Sequence, residues 1–185
     1  MKDPNRERND VLERLNTAAV LFEQSMDIRL IPAQGTKLGY AIRGARNSGG
    51  IAAVQGGIIN KDGRPHVNGP CAFGVDDDIA RIVLTAMKFD PLMRCAATLR
   101  FSKKVMGIIE SLLLECTSFD AVLVPHGIST MDWGVASCCK EGVPDVCYDT
   151  GEAGKEGIIR LFGEEPNDVS NNIIMISNRI ISIEL

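Results

Sequence analysis

The sequence predicts an α/β domain with a mixed sheet at its centre. Three observations lead there. Amphipathic stretches, with apolar residues three and four positions apart, alternate with short apolar runs of strand length. Glycine turns, Asp62-Gly63 above all, join neighbouring runs as hairpins do, which favours a mixed sheet over a purely parallel one. No internal repeat or low-complexity linker interrupts the 185 residues, so a single domain over 1–185 is the economical expectation.

Composition sets the outer bounds. A chain that is 45% hydrophobic and 24% charged is of the globular kind, and at this length it buries roughly 70% of its extended surface without needing disulfides or metal. The formal net charge of -4 argues against direct nucleic-acid binding. No run approaches 18 uninterrupted apolar residues, so no membrane span is expected. Cys71, Cys95, Cys116, Cys138, Cys139 and Cys147 form no C-x-x-C pair. With no secretory leader at the start, they are expected as reduced residues of a cytoplasmic protein, packed as small hydrophobes. Adjacent Cys138 and Cys139 point apart on a regular element, and His66 and His126 are the chain's two histidines, a poor basis for zinc.

Taken in order, residues 1–8 are polar and expected to fray. Val11, Leu12, Leu15, Ala18, Ala19, Leu21 and Phe22 then mark a helix starting near Asn9 or Asp10. Residues 28–32 and 37–42 are expected as strands with Gly35 at the turn. Ile58, Ile59 and Val67 flank the Asp62-Gly63 hairpin, with His66 as an exposed turn residue. A helix follows over Ile79, Ile82, Val83, Ala86 and Met87. Asp76, Asp77 or Asp78 caps it and Asp90-Pro91 stops it. Residues 95–101 form a strand, Ser102 caps a helix over 103–114, and 121–124 form a short strand closed by Pro125, His126 and Gly127. Residues 131–140 are expected to be helical with Trp133 as a packing residue. Residues 143–148 and 158–162 read as strands, 165–168 as a short helix or turn, and the isoleucine-rich 173–185 as strand-forming.

Two loops carry chemistry of interest. Arg43 and Arg46 stand among small residues that let guanidinium groups and amides approach a phosphate or carboxylate, and a solvated turn explains the same residues. The segment Asp149-Thr150-Gly151-Glu152-Ala153-Gly154-Lys155-Glu156 is not a nucleotide-binding P-loop, because its glycines are three apart and Glu156 follows the lysine. It places Lys155 against an anionic ligand or forms a charged turn.

Several separated segments then share one likeness. They are Gly35-Thr36-Lys37-Leu38-Gly39-Tyr40-Ala41, Gly44-Ala45-Arg46, Phe73-Gly74, the stretch from Ala80 to Pro91, Trp133-Gly134, and Tyr148-Asp149-Thr150-Gly151 with Gly154-Lys155-Glu156. In this order they resemble the ThiN type of thiamine-phosphate synthase, also found as the C-terminal domain of some archaeal pyrimidine kinases. The resemblance covers about residues 10–170. It implies a three-layer α/β/α fold of the class II aldolase type. It also implies the joining of an aminopyrimidine diphosphate to a thiazole phosphate, with pyrophosphate released and magnesium as the usual cofactor.

The sequence departs from that pattern where the resemblance places catalysis. Gly57 stands for an arginine and Asp78 for a histidine, so the expected function is a divergent domain that binds thiamine phosphate or its phosphorylated precursors, with synthase activity weakened or lost. The alternatives are an active synthase and a structural or regulatory interaction protein. Candidate phosphate contacts are Arg46, Gly74, Arg81, Lys88, Arg94, Arg100, Gly151, Gly154 and Lys155, and candidate magnesium ligands are Asp76, Asp77, Asp78 and Asp149. A second copy of the chain is a candidate partner. Residues 1–27 are too short for a DNA-binding module in addition to the first helix.

Overall fold

The computed structural model describes residues 3–124 and 131–184. The turn expected at Pro125, His126 and Gly127 lies outside the described residues. Among those described, a seven-stranded sheet has the order β5-β2-β1-β6-β11-β8-β7. Its strands are β1 (Leu38–Ala41), β2 (Ile51–Val54), β5 (Cys71–Phe73), β6 (Cys95–Arg100), β7 (Cys116–Ser118), β8 (Val146–Tyr148) and β11 (Ile158–Gly163). Neighbours are antiparallel except β7 and β8, which run parallel, so the sheet is mixed. Two small hairpins stand apart from it: β3 (Ile58–Lys61) with β4 (Arg64–Val67), and β9 (Gly151–Glu152) with β10 (Lys155–Glu156).

Both faces of the sheet are covered, because side chains alternate along each strand and both alternating sets are apolar. Leu38, Tyr40, Leu99, Ile159 and Leu161 pack with α1 (Pro4–Ser25), α3 (Lys103–Ser111) and α5 (Pro166–Glu184) in one core. Ala41, Ala96, Cys147 and Phe162 pack with α2 (Asp77–Phe89) and α4 (Trp133–Cys138) in the other. The result is a three-layer α/β/α arrangement. Within the described residues no helix is long and apolar enough to cross a membrane.

The central helix is built as its sequence dictates. The Asp76 carboxylate accepts from the amides of Asp78 and Ile79, each at 3.1 Å, and the chain leaves the helix at Asp90. Ser102 caps α3 by accepting from the Val105 amide at 3.1 Å.

Several expectations are corrected. Residues 4–8 belong to α1 rather than fraying: Asp3 caps it and Pro4 enters at a position where its missing amide costs nothing. Tertiary contacts hold that first turn, since Arg8 Nη2 donates to the Gly49 carbonyl at 2.8 Å and Glu7 accepts from the Arg43 amide at 2.8 Å. Ile28–Leu30 and Ala121–Leu123 are 3₁₀ turns, not strands, because Asp27 and Asp120 turn the chain by accepting amides two residues on. His66 lies within β4 opposite Ile59, its Nδ1 3.8 Å from Glu23 Oε2. Trp133 is 48% exposed, so it is not a core packing residue.

The largest correction is the C-terminal segment, which is helical from Pro166 to Glu184. Val169, Ile173, Ile176 and Ile180 recur at helical spacing and all are buried against the first core. That periodic burial outweighs the strand propensity of isoleucine. On a strand Ile173 and Ile181 would share a face, whereas on this helix Ile173 is buried and Ile181 is 49% exposed. Ile173→Ala is therefore expected to lower the unfolding free energy by about 2–5 kcal/mol, and Ile181→Ala to change it by less than about 0.5 kcal/mol. Urea denaturation of both variants measures the contrast.

Candidate ligand cleft

The cleft is assembled by strand register. Leu38 pairs with Ala97, and Lys37, just before β1, is tied to Thr98 twice: the Thr98 amide donates to the Lys37 carbonyl at 3.0 Å, and the Lys37 amide donates to the Thr98 side-chain Oγ1 at 2.9 Å. Thr98 is in turn paired with Arg160 on β11. Lys37, Thr98 and Arg160 thus form a row across three adjacent strands, on the α2 and α4 side of the sheet. They line a cleft of about 510 Å³, together with the loop at 32–35, Asp78 at the start of α2, and Gly154, Lys155 and Glu156 of the small hairpin. An adjoining hollow of about 300 Å³ shares Lys155, Glu156, Ile158 and Arg160 and extends to Phe119, Asp132 and Asp149.

Arg160 is the fixed point of this wall. Its side chain is only 12% exposed, Nη1 donates to Asp149 Oδ2 at 2.8 Å and to the Ile158 carbonyl at 2.9 Å, and the guanidinium carbon lies 4.9 Å from the centre of the Phe119 ring. Its Nε is buried without a hydrogen-bond partner among the described residues. Asp149 also accepts from the Gly151 amide at 2.9 Å, which fixes the entry to the hairpin. Gly151 has φ +85°, and a Cβ there would stand 2.6 Å from the Lys155 carbonyl oxygen, so this turn admits glycine alone. Glu156 closes the wall, accepting from the Ala33 amide at 2.6 Å and from Arg100 Nε at 3.0 Å. Behind Arg160, which pairs with Cys147 on β8, hydrogen bonds from Cys147 and Ser137, with a smaller contribution from the Arg160 charge, hold the Cys138 thiol below its ordinary value against burial.

At the other end of the row, Lys37 Nζ lies 3.1 Å from the Asp76 carboxylate and 3.1 Å from Asp78 Oδ2. Burial opposes its charge, but hydrogen bonds and attraction from these two carboxylates prevail and hold its pKa above the lysine value of 10.5. A different hollow, of about 280 Å³ between α1 and α5, sets Asp10, Glu13 and Glu165 against Arg14 and so disfavours anions.

The structure sorts the residues singled out in the sequence. It brings Gly151, Gly154, Lys155, Asp78 and Asp149 to the cleft and its adjoining hollow. Arg100 reaches the same wall through Glu156, and Arg81 Nη1 lies 3.5 Å from Asp78. The others do not line it. Arg94 is buried as a structural residue, with Nε and Nη2 donating to the Ala41 carbonyl at 3.0 and 2.8 Å over the Tyr40 ring. Lys88 stands in the last turn of α2, about 15 Å along the axis from Asp78. Arg46 is exposed in the turn after β1, and Gly74 ends the run after β5 with φ +73°. Lys37, Thr98, Arg160, Glu156 and Phe119 were not singled out. For Arg160 a signal existed: it is a lone charge inside the apolar run Ile158-Ile159-Arg160-Leu161-Phe162.

With this geometry in hand, the relatives can be compared. The sequence profile of thiamine-phosphate synthase ThiN matches residues 14–175. The chain belongs to the ThiN family. The bifunctional thiamine biosynthesis protein ThiDN of Methanocaldococcus jannaschii is 32% identical over 172 residues, a match that covers 91% of this chain and 41% of that protein. Thiamine-phosphate synthase ThiN of Methanothermobacter thermautotrophicus is 27% identical over 141 residues, covering 72% of this chain and 74% of that one. The chain therefore spans less than half the length of the bifunctional relative. The crystal structure of the C-terminal domain of a phosphomethylpyrimidine kinase superimposes with a TM-score of 0.86 at 32% identity, covering 92% of this chain and all of that one.

The magnesium expected from the resemblance can be set against the aspartates of this chain. Asp76 and Asp78 converge on a point that the Lys37 ammonium already holds, Asp149 is committed to Arg160 and the Gly151 amide, and Asp77 is exposed outside the cleft. Among the described residues no three His, Cys, Asp or Glu side chains form a group able to hold a metal ion. These residues therefore build no all-protein magnesium cage, whereas magnesium is more often held by one or two carboxylates together with a ligand's phosphates. Gly57 has a backbone role of its own: its φ is +69°, and a Cβ there would stand 2.8 Å from the Thr36 carbonyl oxygen.

The Asp149–Arg160 pair gives a stability test. Asp149→Ala leaves a buried guanidinium without its counter-charge and is expected to lower the unfolding free energy by about 3–5 kcal/mol. Chemical denaturation checks it, with exposed Asp77→Ala as the reference.

Proposed function

We propose that this ThiN domain binds thiamine phosphate or one of its phosphorylated precursors in the cleft between the hairpin at 151–156 and the start of α2, with synthase activity weakened or lost. The observation that carries the reading is the row Lys37, Thr98 and Arg160 facing that cleft. It supplies the donors a phosphate monoester needs. Arg160 brings a guanidinium to the cleft lining, Thr98 accepts through its oxygen and keeps a hydroxyl hydrogen to donate, and Lys155 adds an ammonium at the rim.

The same geometry supports reduced catalysis. Joining the two precursors breaks a carbon–oxygen bond and leaves a pyrophosphate carrying roughly three negative charges, which needs cationic stabilisation as it departs. At position 57 there is no room for a side chain, and at position 78 a carboxylate faces the cleft. Neither stabilises a departing anion. What this chain's residues do is bind and orient: Arg160 and Thr98 hold a phosphate, and Glu156 keeps the 32–35 loop over it through the Ala33 amide.

Calorimetric titration with thiamine phosphate tests the reading. Saturable binding is expected, with Arg160→Met weakening it by about tenfold or more and Lys155→Met by less, as an exposed charge contributes less than a buried one. Absence of saturable binding by thiamine phosphate and by both precursors would defeat it. A turnover assay with the two precursors separates binding from synthesis: rapid accumulation of thiamine phosphate would return the chain to the active synthases.

Magnesium, on this reading, enters only as the counter-ion of a diphosphate-bearing ligand. Chelation with EDTA is accordingly expected to leave the affinity for thiamine phosphate unchanged and to weaken binding of the pyrimidine diphosphate, as paired titrations would measure.

A further inference from the structure

The cleft is charge-balanced in an uneven way. Arg160 is matched by Asp149, Arg100 by Glu156, and Lys155 by Glu152 at 3.6 Å. Lys37 alone is matched twice, by Asp76 and Asp78 at 3.1 Å each. Asp76 already supplies a counter-charge for Lys37 while capping α2. Asp78 is thus a second carboxylate on that lysine, 65% exposed and lining the cleft. Arg81 lies 3.5 Å from it on a 40% exposed side chain, where solvent screens the pair. The wall at the start of α2 sets two carboxylates against Lys37 and Arg81, and of those carboxylates Asp78 is the one that lines the cavity, while Arg160 lines it at the other end of the row.

Such a cleft fits a ligand whose own charge is divided. A phosphate monoester attached to a ring with a permanent cation, as in the thiazolium of thiamine phosphate, places its anion toward Arg160 and its cation toward Asp78. A diphosphate concentrates its negative charge and finds no surplus cation. A thiazole phosphate with a neutral ring nitrogen keeps the phosphate and loses the attraction to Asp78.

We infer that Asp78 is a specificity-determining residue, which favours phosphate esters bearing a cationic ring and disfavours diphosphates. The inference rests on the phosphate-ligand reading of the cleft given above and adds to it a direction of selectivity. It makes the domain a better receptor for the joined product, whose ring carries a positive charge, than for either uncharged-ring precursor. Asp78 acts here through its charge on the bound ligand and takes no part in a bond-forming step.

Titration calorimetry of the full chain with thiamine phosphate, hydroxyethylthiazole phosphate and inorganic pyrophosphate, without added metal, tests it. Wild type is expected to prefer thiamine phosphate to the thiazole phosphate. Asp78→Asn should shrink that ratio by about fivefold and tighten pyrophosphate by a similar factor, in keeping with one partly exposed charge pair. Asp78→Glu keeps the charge and should restore the wild-type ratio. Asp77→Asn, which removes the same charge one residue away and outside the cleft, should leave the ratio unchanged. Circular dichroism verifies that each variant is folded. If Asp78→Asn leaves the ratio intact, or if Asp77→Asn shifts it equally, the inference fails while thiamine phosphate binding still stands. If none of the three ligands binds wild type, both the inference and the reading beneath it fail.

Discussion

A guanidinium with a nearly buried side chain, in the middle of a strand, sets the terms for this half of the molecule. Arg160 cannot shed its charge, so the fold must surround it with acceptors or leave a large desolvation cost unmet. Asp149 and the Ile158 carbonyl meet part of that need, and the Phe119 ring covers the group. Holding Asp149 in place requires the Gly151 amide, and that tight turn requires glycine. The hairpin wall, its glycine and its acidic entry are therefore consequences of one buried cation.

The sheet explains why that cation faces a cleft rather than a core. Alternation puts Leu99, Ile159 and Leu161 on the face packed by α1, α3 and α5, and Thr98 and Arg160 on the other. On that second face Ala41, Ala96 and Phe162 are covered by α2 and α4. Beyond the start of α2 the polar row emerges into the cavity. The transition from core to cleft within a strand thus falls where the covering helix begins, and Asp76 marks that point by capping it.

Much of this was legible in the residues. The mixed α/β class, the hairpin at Asp62-Gly63 and the caps at Asp76 and Ser102 follow from local chemistry acting over a few positions. The C-terminal helix was missed because isoleucine content was weighed above spacing: Val169, Ile173, Ile176 and Ile180 carry a helical period that a composition argument ignores. The likeness to ThiN was also readable from ordered motifs, and it is the family to which the chain belongs. The cleft was half legible. Glycine-rich and charged loops announced Gly151, Gly154 and Lys155, but Lys37, Thr98 and Arg160 meet only through strand pairings that join Lys37 to Thr98 and Thr98 to Arg160 across distant parts of the chain, and register is a long-range property that no local motif encodes.

The ion pairs of the cleft cations set the terms on which a ligand can engage them. Because Arg160, Lys37 and Arg100 each have a carboxylate partner, a phosphate must compete with those partners for the same donors. Competition of that kind weakens affinity and raises selectivity, since only a ligand that satisfies the displaced carboxylates as well as the guanidinium recovers the lost attraction. The cleft keeps each of these cations beside a carboxylate, so its polar wall is held together by ion pairs internal to the fold.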